Sequence, residues 1–380
     1  MLYRKMKKAA PELSILGFGC MRLPVKEDGQ IDEEQATGML RYAIDNGVNY
    51  VDTAYVYHNG ESEPFVGRAL ADGYRDKVNI ATKLPSWLIK TREDMDQYLG
   101  EQLERLQTDH IDFYLVHGLN APFWENLSSL GITEFLDAAI ADGRIRYAGF
   151  SFHDAAPLFR TIVDAYDWSF AQIQYNFMDE HYQAGTEGLQ YAAKKGLGIV
   201  VMEPIRGGLL ARDIAGVKEI WAGARVRRTP AEWALRWVWN HPEVTVVLSG
   251  MSALEQVREN VALAKLVTAG SLPKTELSLF HKVRKELEKR TMVPCTGCRY
   301  CTPCPHGVSI PECFEYYNRG HMYGDEEQTK QIYTMFLGGF FDGTPHYASL
   351  CEECGECEER CPQEIPIREN LKKVAAYLGK

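Results

Sequence analysis

The sequence predicts an α/β protein in which a closed (β/α)8 TIM barrel precedes a small, mainly helical, cysteine-rich domain. Apolar strand-like runs alternate with helical stretches eight times within about 250 residues, which favours a closed parallel barrel over an open sheet. Polar residues stand at the ends of successive apolar runs, and a barrel collects such residues at one face. Nine of the ten cysteines lie between residues 295 and 361, which indicates a separate C-terminal domain.

The first strand is expected at residues 16–23, and the first helix at 32–45 stops at Asn46-Gly47. Later strands should end near Asp52, Lys83, His117, Ser151, Asn176, Glu203 and Gly250. The helices between them are expected at 61–72, 93–107, 132–142, 155–166, 183–195, 230–240 and 253–265. No Gly-x-Gly-x-x-Gly motif follows the first strand, which argues against a doubly wound dinucleotide-binding fold.

The domain boundary is expected near residue 290. A charged amphipathic helix at 277–290 is followed by Met292-Val293-Pro294, which breaks the pattern and opens the cysteine region. We therefore predict a barrel domain at 1–290 and a second domain at 291–380.

Composition and charge disfavour several classes of protein. The net charge of −10 and the lack of a basic stripe disfavour nucleic-acid binding. Hydrophobic residues make up 45%, enough for a large core, yet no apolar run approaches the ~20 residues that span a membrane. The basic N-terminus lacks a following apolar segment, so a secretory signal is not expected.

Polar side chains at the ends of three successive strands suggest proton-transfer chemistry. Asp52, Lys83 and His117 end these strands, and Tyr57 follows Asp52 by five residues. A phenol keeps its proton until pH ~10, so it acts as a general acid near neutrality only when its neighbours shift its pKa. The Lys83 ammonium is the cation available for that role. The four residues are predicted to form a catalytic site.

The clustered cysteines form two closely spaced sets. They are Cys295-x-x-Cys298-x-x-Cys301-x-x-Cys304-Pro305 and Cys351-x-x-Cys354-x-x-Cys357-x-x-x-Cys361-Pro362. The second set has the ferredoxin spacing for a [4Fe–4S] cluster, and the first is one residue shorter before its last cysteine. Without a signal peptide, such clusters indicate metal ligands rather than disulfides. A tetrahedral zinc site usually takes two Cys-x-x-Cys hooks, so a third cysteine at that spacing is surplus.

These spacings lead us to expect two [4Fe–4S] clusters, with one cluster or a zinc site as the alternatives. In two-cluster ferredoxins the fourth cysteine of each set binds the other cluster. By that pattern, one cluster would take Cys295, Cys298, Cys301 and Cys361, and the other Cys351, Cys354, Cys357 and Cys304. Cys313 and Cys20 are out of register, and we expect both to be buried as small apolar residues.

Residues 12–265 resemble the aldo-keto reductase family. The matching motifs are Asp52-Thr53-Ala54-x-x-Tyr57 with Gly60-Glu61-Ser62-Glu63, then Ala81-Thr82-Lys83, Asp112-x-Tyr114-Leu115-x-His117 and Glu259-Asn260. The resemblance implies hydride transfer between a nicotinamide and a small carbonyl or alcohol substrate. Tyr57 would donate the proton, Lys83 paired with Asp52 would lower the Tyr57 pKa, and His117 would orient the carbonyl.

The same resemblance implies positions that contact the nicotinamide cofactor. Ser151 matches the serine that binds its carboxamide, and Gln172 matches the family's glutamine on the sixth strand. Phe152 replaces the usual asparagine, and Met202 falls where many members place an aromatic ring. Gly208 and Leu209 lie in the loop over the pyrophosphate. After the eighth strand the implied contacts are Ser249, Gly250, Gln256, Glu259 and Asn260. Many relatives carry basic residues among these for a 2′-phosphate, and Arg206 or Arg258 could replace them, so NADP and NAD both stay open.

Residues 291–380 resemble the ferredoxin-like modules appended to some aldo-keto reductases. One hypothesis is a reductase coupled to iron–sulfur electron transfer, and the other is an electron-transfer or redox-sensing protein that uses the barrel as a scaffold. The complete set of catalytic-type residues favours the first. A hydride carries two electrons and a cluster one, and a flavin normally divides such a pair. No flavin motif is evident, so three explanations stay open: a flavoprotein or other electron-transfer partner docks at the module, a bound flavin goes unrecognised, or the clusters are structural. Because iron–sulfur clusters need a reducing setting, we expect the cytoplasm.

Overall fold

The computed structural model describes every residue except 296, 298, 341, 342 and 362, so the predicted ligand Cys298 lies outside the described residues. The chain divides into two compact units. The first comprises Met1–Ala211 and Arg228–Pro273, and the second comprises Arg212–Arg227 and Lys274–Lys380.

The secondary structure follows the predicted alternation closely. The strands are β1 (Tyr3–Lys5), β2 (Glu12–Ser14), β3 (Leu16–Gly19), β4 (Tyr50–Asp52), β5 (Asn79–Leu84), β6 (Ile111–Leu119), β7 (Ile145–Phe152), β8 (Phe170–Gln174), β9 (Gly198–Met202) and β10 (Val244–Ser249). The helices are α1 (Glu33–Asp45), α2 (Ser62–Ala69), α3 (Arg92–Arg105), α4 (Ala121–Ser129), α5 (Ile132–Ala141), α6 (Ala156–Ala165), α7 (Gly185–Lys194), α8 (Val217–Ala222), α9 (Pro230–Trp239), α10 (Leu254–Ala264), α11 (Lys274–Glu288), α12 (Ile310–Tyr323), α13 (Glu326–Leu337), α14 (Glu356–Glu359) and α15 (Ile367–Leu378).

The first unit is a closed parallel barrel of eight strands, in the order β10-β3-β4-β5-β6-β7-β8-β9. The predicted (β/α)8 fold is confirmed. Local signals delimit its helices: the Asp32 carboxylate caps α1 by accepting a hydrogen bond from the Gln35 amide, and Gly47 follows the helix at φ +98°. Such caps fix where each helix returns the chain to the next strand.

A short N-terminal hairpin, β1 paired with β2, is absent from the sequence prediction. Its strands have three residues each, too few for a periodic signal. Met6 and Leu13 from this segment pack with the interior side chains Tyr50, Phe113 and Phe170 in one apolar cluster. The barrel interior is therefore a packed core, as expected for eight strands.

The second unit is mainly helical and has its own apolar core. Phe314 of α12, Tyr333 of α13 and Val374 of α15 are among its buried residues, and several cysteines pack against them. The unit begins earlier than the predicted boundary at 290, because α11 groups with α8. The rings of Phe280 and Trp221 from these two helices are 5.1 Å apart.

Among the described residues, no helix is both long and apolar enough to cross a membrane.

Candidate functional site

Lys83 is the most tightly held residue at the carboxyl ends of the barrel strands. Its Nζ donates to both carboxylate oxygens of Asp52 at 2.8 Å and to the Thr53 carbonyl at 2.6 Å. The Lys83 side chain is fully buried, which disfavours the ammonium, but the Asp52 carboxylate outweighs this effect and the pKa of Lys83 is raised. Lys83 is therefore a fixed, charged group inside the barrel.

Tyr57 lies beside this ammonium on the loop after β4. The Lys83 Nζ is 5.0 Å from the centroid of the Tyr57 ring. Burial raises the pKa of Tyr57 above its ordinary value, and the Lys83 ammonium opposes that rise. The predicted effect of Lys83 has the right direction, but the net pKa is raised rather than lowered, so the phenol holds its proton at neutral pH.

His117, on β6, faces Tyr57 across the same site. The two ring centroids are 6.3 Å apart and the rings are nearly perpendicular, at 82°. Burial and the Lys83 charge lower the pKa of His117 well below its ordinary value, so its imidazole is neutral. Its buried Nδ1 has no hydrogen-bond partner among the described residues, so this nitrogen is available for a hydrogen bond with a ligand.

Two aromatic residues missing from the sequence prediction flank His117. The Trp87 ring, in the short helical turn after β5, is 5.1 Å from the His117 ring, and Phe123 of α4 is 6.5 Å from Trp87. The helix α4 is also absent from the prediction, and it begins where Asn120 accepts a hydrogen bond from the Phe123 amide. The short sequence Ser86-Trp87 carries no motif, so only the fold reveals this apolar wall.

A buried polar network supports the strand that carries Lys83. The Gln102 amide on α3 donates to the Lys83 carbonyl at 3.0 Å and to Glu63 at 2.7 Å, and Thr82 also donates to Glu63. Glu63 is fully buried, and burial raises its pKa. The network therefore holds the backbone of Lys83 in place, which is the support that a functional side chain needs.

Two of the implied nicotinamide contacts lie next to each other on β7 and β8. Ser151 and Gln172 are register partners and both are buried. The Ser151 hydroxyl accepts from the Gly118 amide at 2.7 Å, whereas the buried Oε1 of Gln172 has no partner among the described residues. A nicotinamide carboxamide offers the donor that this oxygen lacks. Met202 lies beside it, with its sulfur 3.6 Å from the Gln172 Nε2.

Phe152 makes no such contact, because it faces the helices. Its ring packs against Phe159 of α6, with centroids 5.1 Å apart, and the side chain is fully buried. Phe152 therefore contributes apolar packing between β7 and α6 rather than a polar group to the site.

The remaining implied cofactor positions lie in loops after β9 and β10. Gly208 has φ +98°, and Leu209 beside it is fully buried. The loop after β10 is closed by two hydrogen bonds, from Asn260 to the Ser249 hydroxyl at 3.1 Å and from the Ser252 amide to Gln256 at 2.9 Å. Gly250 adjoins Ser249, and Glu259 is an exposed residue of α10.

The two arginines considered for a 2′-phosphate differ in their surroundings. The Arg206 guanidinium binds both carboxylate oxygens of Asp179, at 2.8 and 3.0 Å. Arg258 is exposed, and its nearest ion pair, with Glu255, is long at 4.0 Å. Arg258 is therefore the more accessible of the two for an anion.

Most of the described cysteines of the second unit line two neighbouring cavities. One is lined by Cys301, Cys304, Cys351, Cys354 and Cys357, and the other by Cys295, Cys301 and Cys361. Cys304 therefore lies with the second set and Cys361 with the first, as in the ferredoxin pattern. Thiolates are the usual ligands of iron–sulfur clusters, so the donor set fits two of them.

The described cysteines form no disulfides. Among the described residues, no group of three or more His, Cys, Asp or Glu side chains is arranged to hold a single metal ion. Cys20 and Cys313 are fully buried, as predicted. Cys313 packs in the helical core, with its sulfur 3.6 Å from the Tyr333 hydroxyl, outside both cavity linings.

Comparisons with known proteins agree with this arrangement. The model described as the aldo/keto reductase family matches residues 15–271, and one described as a 4Fe-4S dicluster domain matches residues 294–365. The chain belongs to the aldo/keto reductase family and is an NAD(P)-dependent oxidoreductase with a C-terminal 4Fe-4S domain.

Among curated relatives, "Probable aldo-keto reductase 1" of Glycine max is 25% identical over 288 residues, covering 66% of this chain and 80% of its own. "NADH-specific methylglyoxal reductase" of Escherichia coli (strain K12) is 25% identical over 306 residues, covering 69% and 91%. Among solved structures, the holo aldo-keto reductase AKR11C1 from Bacillus halodurans has a TM-score of 0.63 and 26% identity, covering 74% of this chain and 96% of that one.

Proposed function

We propose that this protein transfers hydride between a nicotinamide and the carbonyl carbon of a small substrate, with Tyr57 as the proton donor. The observation that carries the proposal is the buried Lys83 ammonium, fixed by Asp52 and Thr53 and only 5.0 Å from the Tyr57 ring centroid. The bound nicotinamide supplies the hydride, and the barrel supplies position and charge.

Each side chain has a role that follows from charge. A carbonyl oxygen becomes negative as hydride reaches its carbon, and a proton donor beside a cation stabilises that charge as it forms. Tyr57 gives up its proton to this oxygen, while Lys83 stabilises the phenolate that is left. The neutral His117 ring can donate a hydrogen bond to the same oxygen and so orient the carbonyl.

The experiment is steady-state reduction of propionaldehyde by the anaerobically purified protein with NADPH or NADH. Tyr57→Phe should lower kcat at least about 100-fold, because a positioned acid contributes that much. Tyr55→Phe is the matched control, since the Tyr55 hydroxyl bonds to Glu101 at 2.8 Å. More than about a tenth of wild-type kcat in Tyr57→Phe would contradict the donor assignment.

Cofactor preference is the next part of the proposal, and Arg258 is the residue that we assign to a 2′-phosphate. Its exposed guanidinium and weak ion pair support this choice over Arg206. Arg258→Gln should raise the KM for NADPH more than the KM for NADH. Equal changes in both constants would remove Arg258 from this role.

We further propose that the second unit binds two [4Fe–4S] clusters that exchange electrons with a flavoprotein partner. Cys301 and Ile310 line both cysteine cavities, so groups bound there would be neighbours and could pass electrons. A cluster supplies one electron at a time, and a flavoprotein would divide the pair that a hydride carries. Because thiolate ligands must stay reduced, the proposed compartment is the cytoplasm.

Metal analysis and a reduction experiment test this second function. Two clusters require about eight iron and eight sulfide per chain. Cys354→Ser should lower the iron content, whereas Cys313→Ala, a buried cysteine outside both cavities, should not. Stoichiometric zinc would overturn the clusters. Failure of dithionite to reduce any cluster would overturn the relay alone and leave a structural role.

A further inference from the structure

A second polar pair lies next to His117, outside the four residues described above. The Nε2 of Gln183, between β8 and α7, is 3.3 Å from the Nδ1 of His153, which follows β7. The His153 ring lies beside Gly118, the residue after His117: a Cβ built on Gly118 would stand 3.9 Å from the His153 Cδ2. His153 therefore connects Gln183 to the end of β6 that carries His117.

A backbone hydrogen bond holds His153, and Gln183 has an unusual backbone conformation. The His153 amide donates to the Leu119 carbonyl at 3.0 Å, which ties the end of β7 to the end of β6. Gln183 has φ +53°, a left-handed conformation that is uncommon for a residue with a side chain. Such conformations persist where surrounding structure determines them, often at ligand sites.

The loop that carries Gln183 is held in place by hydrogen bonds of Asp179, which lies on the same loop. This buried carboxylate accepts from the Asn176 amide at 2.6 Å and from Arg206 at 2.8 Å, and Asn176 also donates to the Glu203 carbonyl. The network connects the loop after β8 with the segment after β9. Gln183 is therefore presented by a braced loop, which suits a binding residue.

The Gln183 side chain has an acceptor that nothing in the described residues satisfies. Its Nε2 faces His153, so Oε1 is left over, and this oxygen is buried without a hydrogen-bond partner. A buried acceptor of this kind costs free energy until a donor reaches it. A ligand hydroxyl is a suitable donor, whereas a carboxylate is acceptor-only when ionised and would add a second acceptor beside this oxygen.

We propose that Gln183 and His153 form a subsite that binds a hydroxyl group adjacent to the substrate carbonyl. The preferred substrates are then small α-hydroxy aldehydes or ketones. The Gln183 Oε1 accepts a hydrogen bond from the hydroxyl group, and the contact with His153 sets the orientation of the Gln183 amide. This subsite rests on the proposed carbonyl reduction and narrows its substrate class.

The test compares kcat/KM for glyceraldehyde and for propionaldehyde, which lacks the hydroxyls, in the full-length, cluster-containing protein. The ratio of the two constants should fall about tenfold in Gln183→Leu, since a site that bonds a substrate hydroxyl discriminates against its absence. Gln183→Asn is the second variant, because asparagine tolerates the left-handed conformation and its amide is one methylene shorter. Gln190→Leu, an exposed glutamine on α7, is the control and should keep the wild-type ratio.

The outcomes separate the subsite from the reaction on which it rests. A lower ratio in both Gln183 variants supports the subsite. An unchanged ratio in either folded variant, or a wild type that prefers propionaldehyde, overturns the subsite and leaves the reductase assignment standing. Failure of the wild type to reduce either aldehyde overturns the proposed function and the subsite with it.

Discussion

The barrel site and the cysteine cavities differ in what holds their side chains in place. In the barrel, Lys83 is fixed by three hydrogen bonds from its ammonium to protein oxygens, and Gln102 braces its strand. In the second unit, the cysteines face two cavities and no disulfide links the described ones. The barrel site is therefore held by its own hydrogen bonds, whereas we expect a bound group to hold the cysteines in place.

The largest expected effect of this difference appears when iron is removed. The second unit lines two cavities with cysteines, and the binding free energy of a metal held there is part of the folding free energy of the unit. When the iron is removed with a chelator under anaerobic conditions, the backbone amides of helices α12 and α15 should lose their protection from hydrogen exchange. The barrel strands should keep their protection, since their core is closed and packed.

Hydrogen exchange followed by mass spectrometry measures both units in one sample. The comparison would fail if α12 and α15 kept their protection without iron. It would also fail if the barrel strands lost theirs to the same extent.

The next effect is on catalysis. Lys83→Met removes the cation beside Tyr57 and leaves the Asp52 carboxylate buried without its partner. We expect kcat for propionaldehyde to fall about 100-fold or more, since general acid catalysis is worth that much. Stability should also fall, because breaking a buried pair costs about 3–5 kcal/mol.

Lys77→Met is the matched control, because Lys77 forms an exposed ion pair with Asp45 at 3.5 Å. Its kcat and melting temperature should stay near those of the wild type. Activity of Lys83→Met within a few-fold of the wild type would show that Tyr57 needs no neighbouring cation.

A smaller effect is expected in the pH dependence of the reduction. The proton donor must be protonated, and burial raises the pKa of Tyr57 above 10.0, so its proton is retained as pH rises through 8 and 9. His117 must be neutral, and its pKa is lowered well below 6.5, so protonation begins only at lower pH. The kcat should form a plateau across neutral pH and fall on the acid side below 6.5. A fall in kcat that begins between pH 7 and 9 would contradict the raised pKa of Tyr57.

The sequence predicted most of the barrel because each unit there carries a local signal. Asn46-Gly47 ends a helix, and polar residues such as Lys83 and His117 stand at the ends of apolar runs that the structure resolves as β5 and β6. The sequence did not predict the hairpin β1–β2 or the helix α4, because three-residue strands and one short helix carry little periodicity.

Contacts between residues that are far apart in the chain could not be predicted from the sequence for a different reason. Trp87 meets His117, and Gln183 meets His153, only because the strands that precede them converge in the closed barrel, and no spacing in the chain encodes those contacts. The sequence predicted that the Lys83 ammonium lowers the pKa of Tyr57, and this contribution is present in the structure. The sequence could not show the burial that raises the net pKa.

The central claim is that the barrel alone builds a carbonyl-reducing site with Tyr57 as its acid. Deuterium transfer from a 4-deuterated reduced nicotinamide to C1 of propionaldehyde tests it most directly, in the iron-loaded protein, the iron-free protein and Tyr57→Phe. We expect labelled propanol at rates within about twofold in the first two samples and at least about 100-fold slower in the third. Loss of transfer on iron removal, or undiminished transfer in Tyr57→Phe, would contradict the claim.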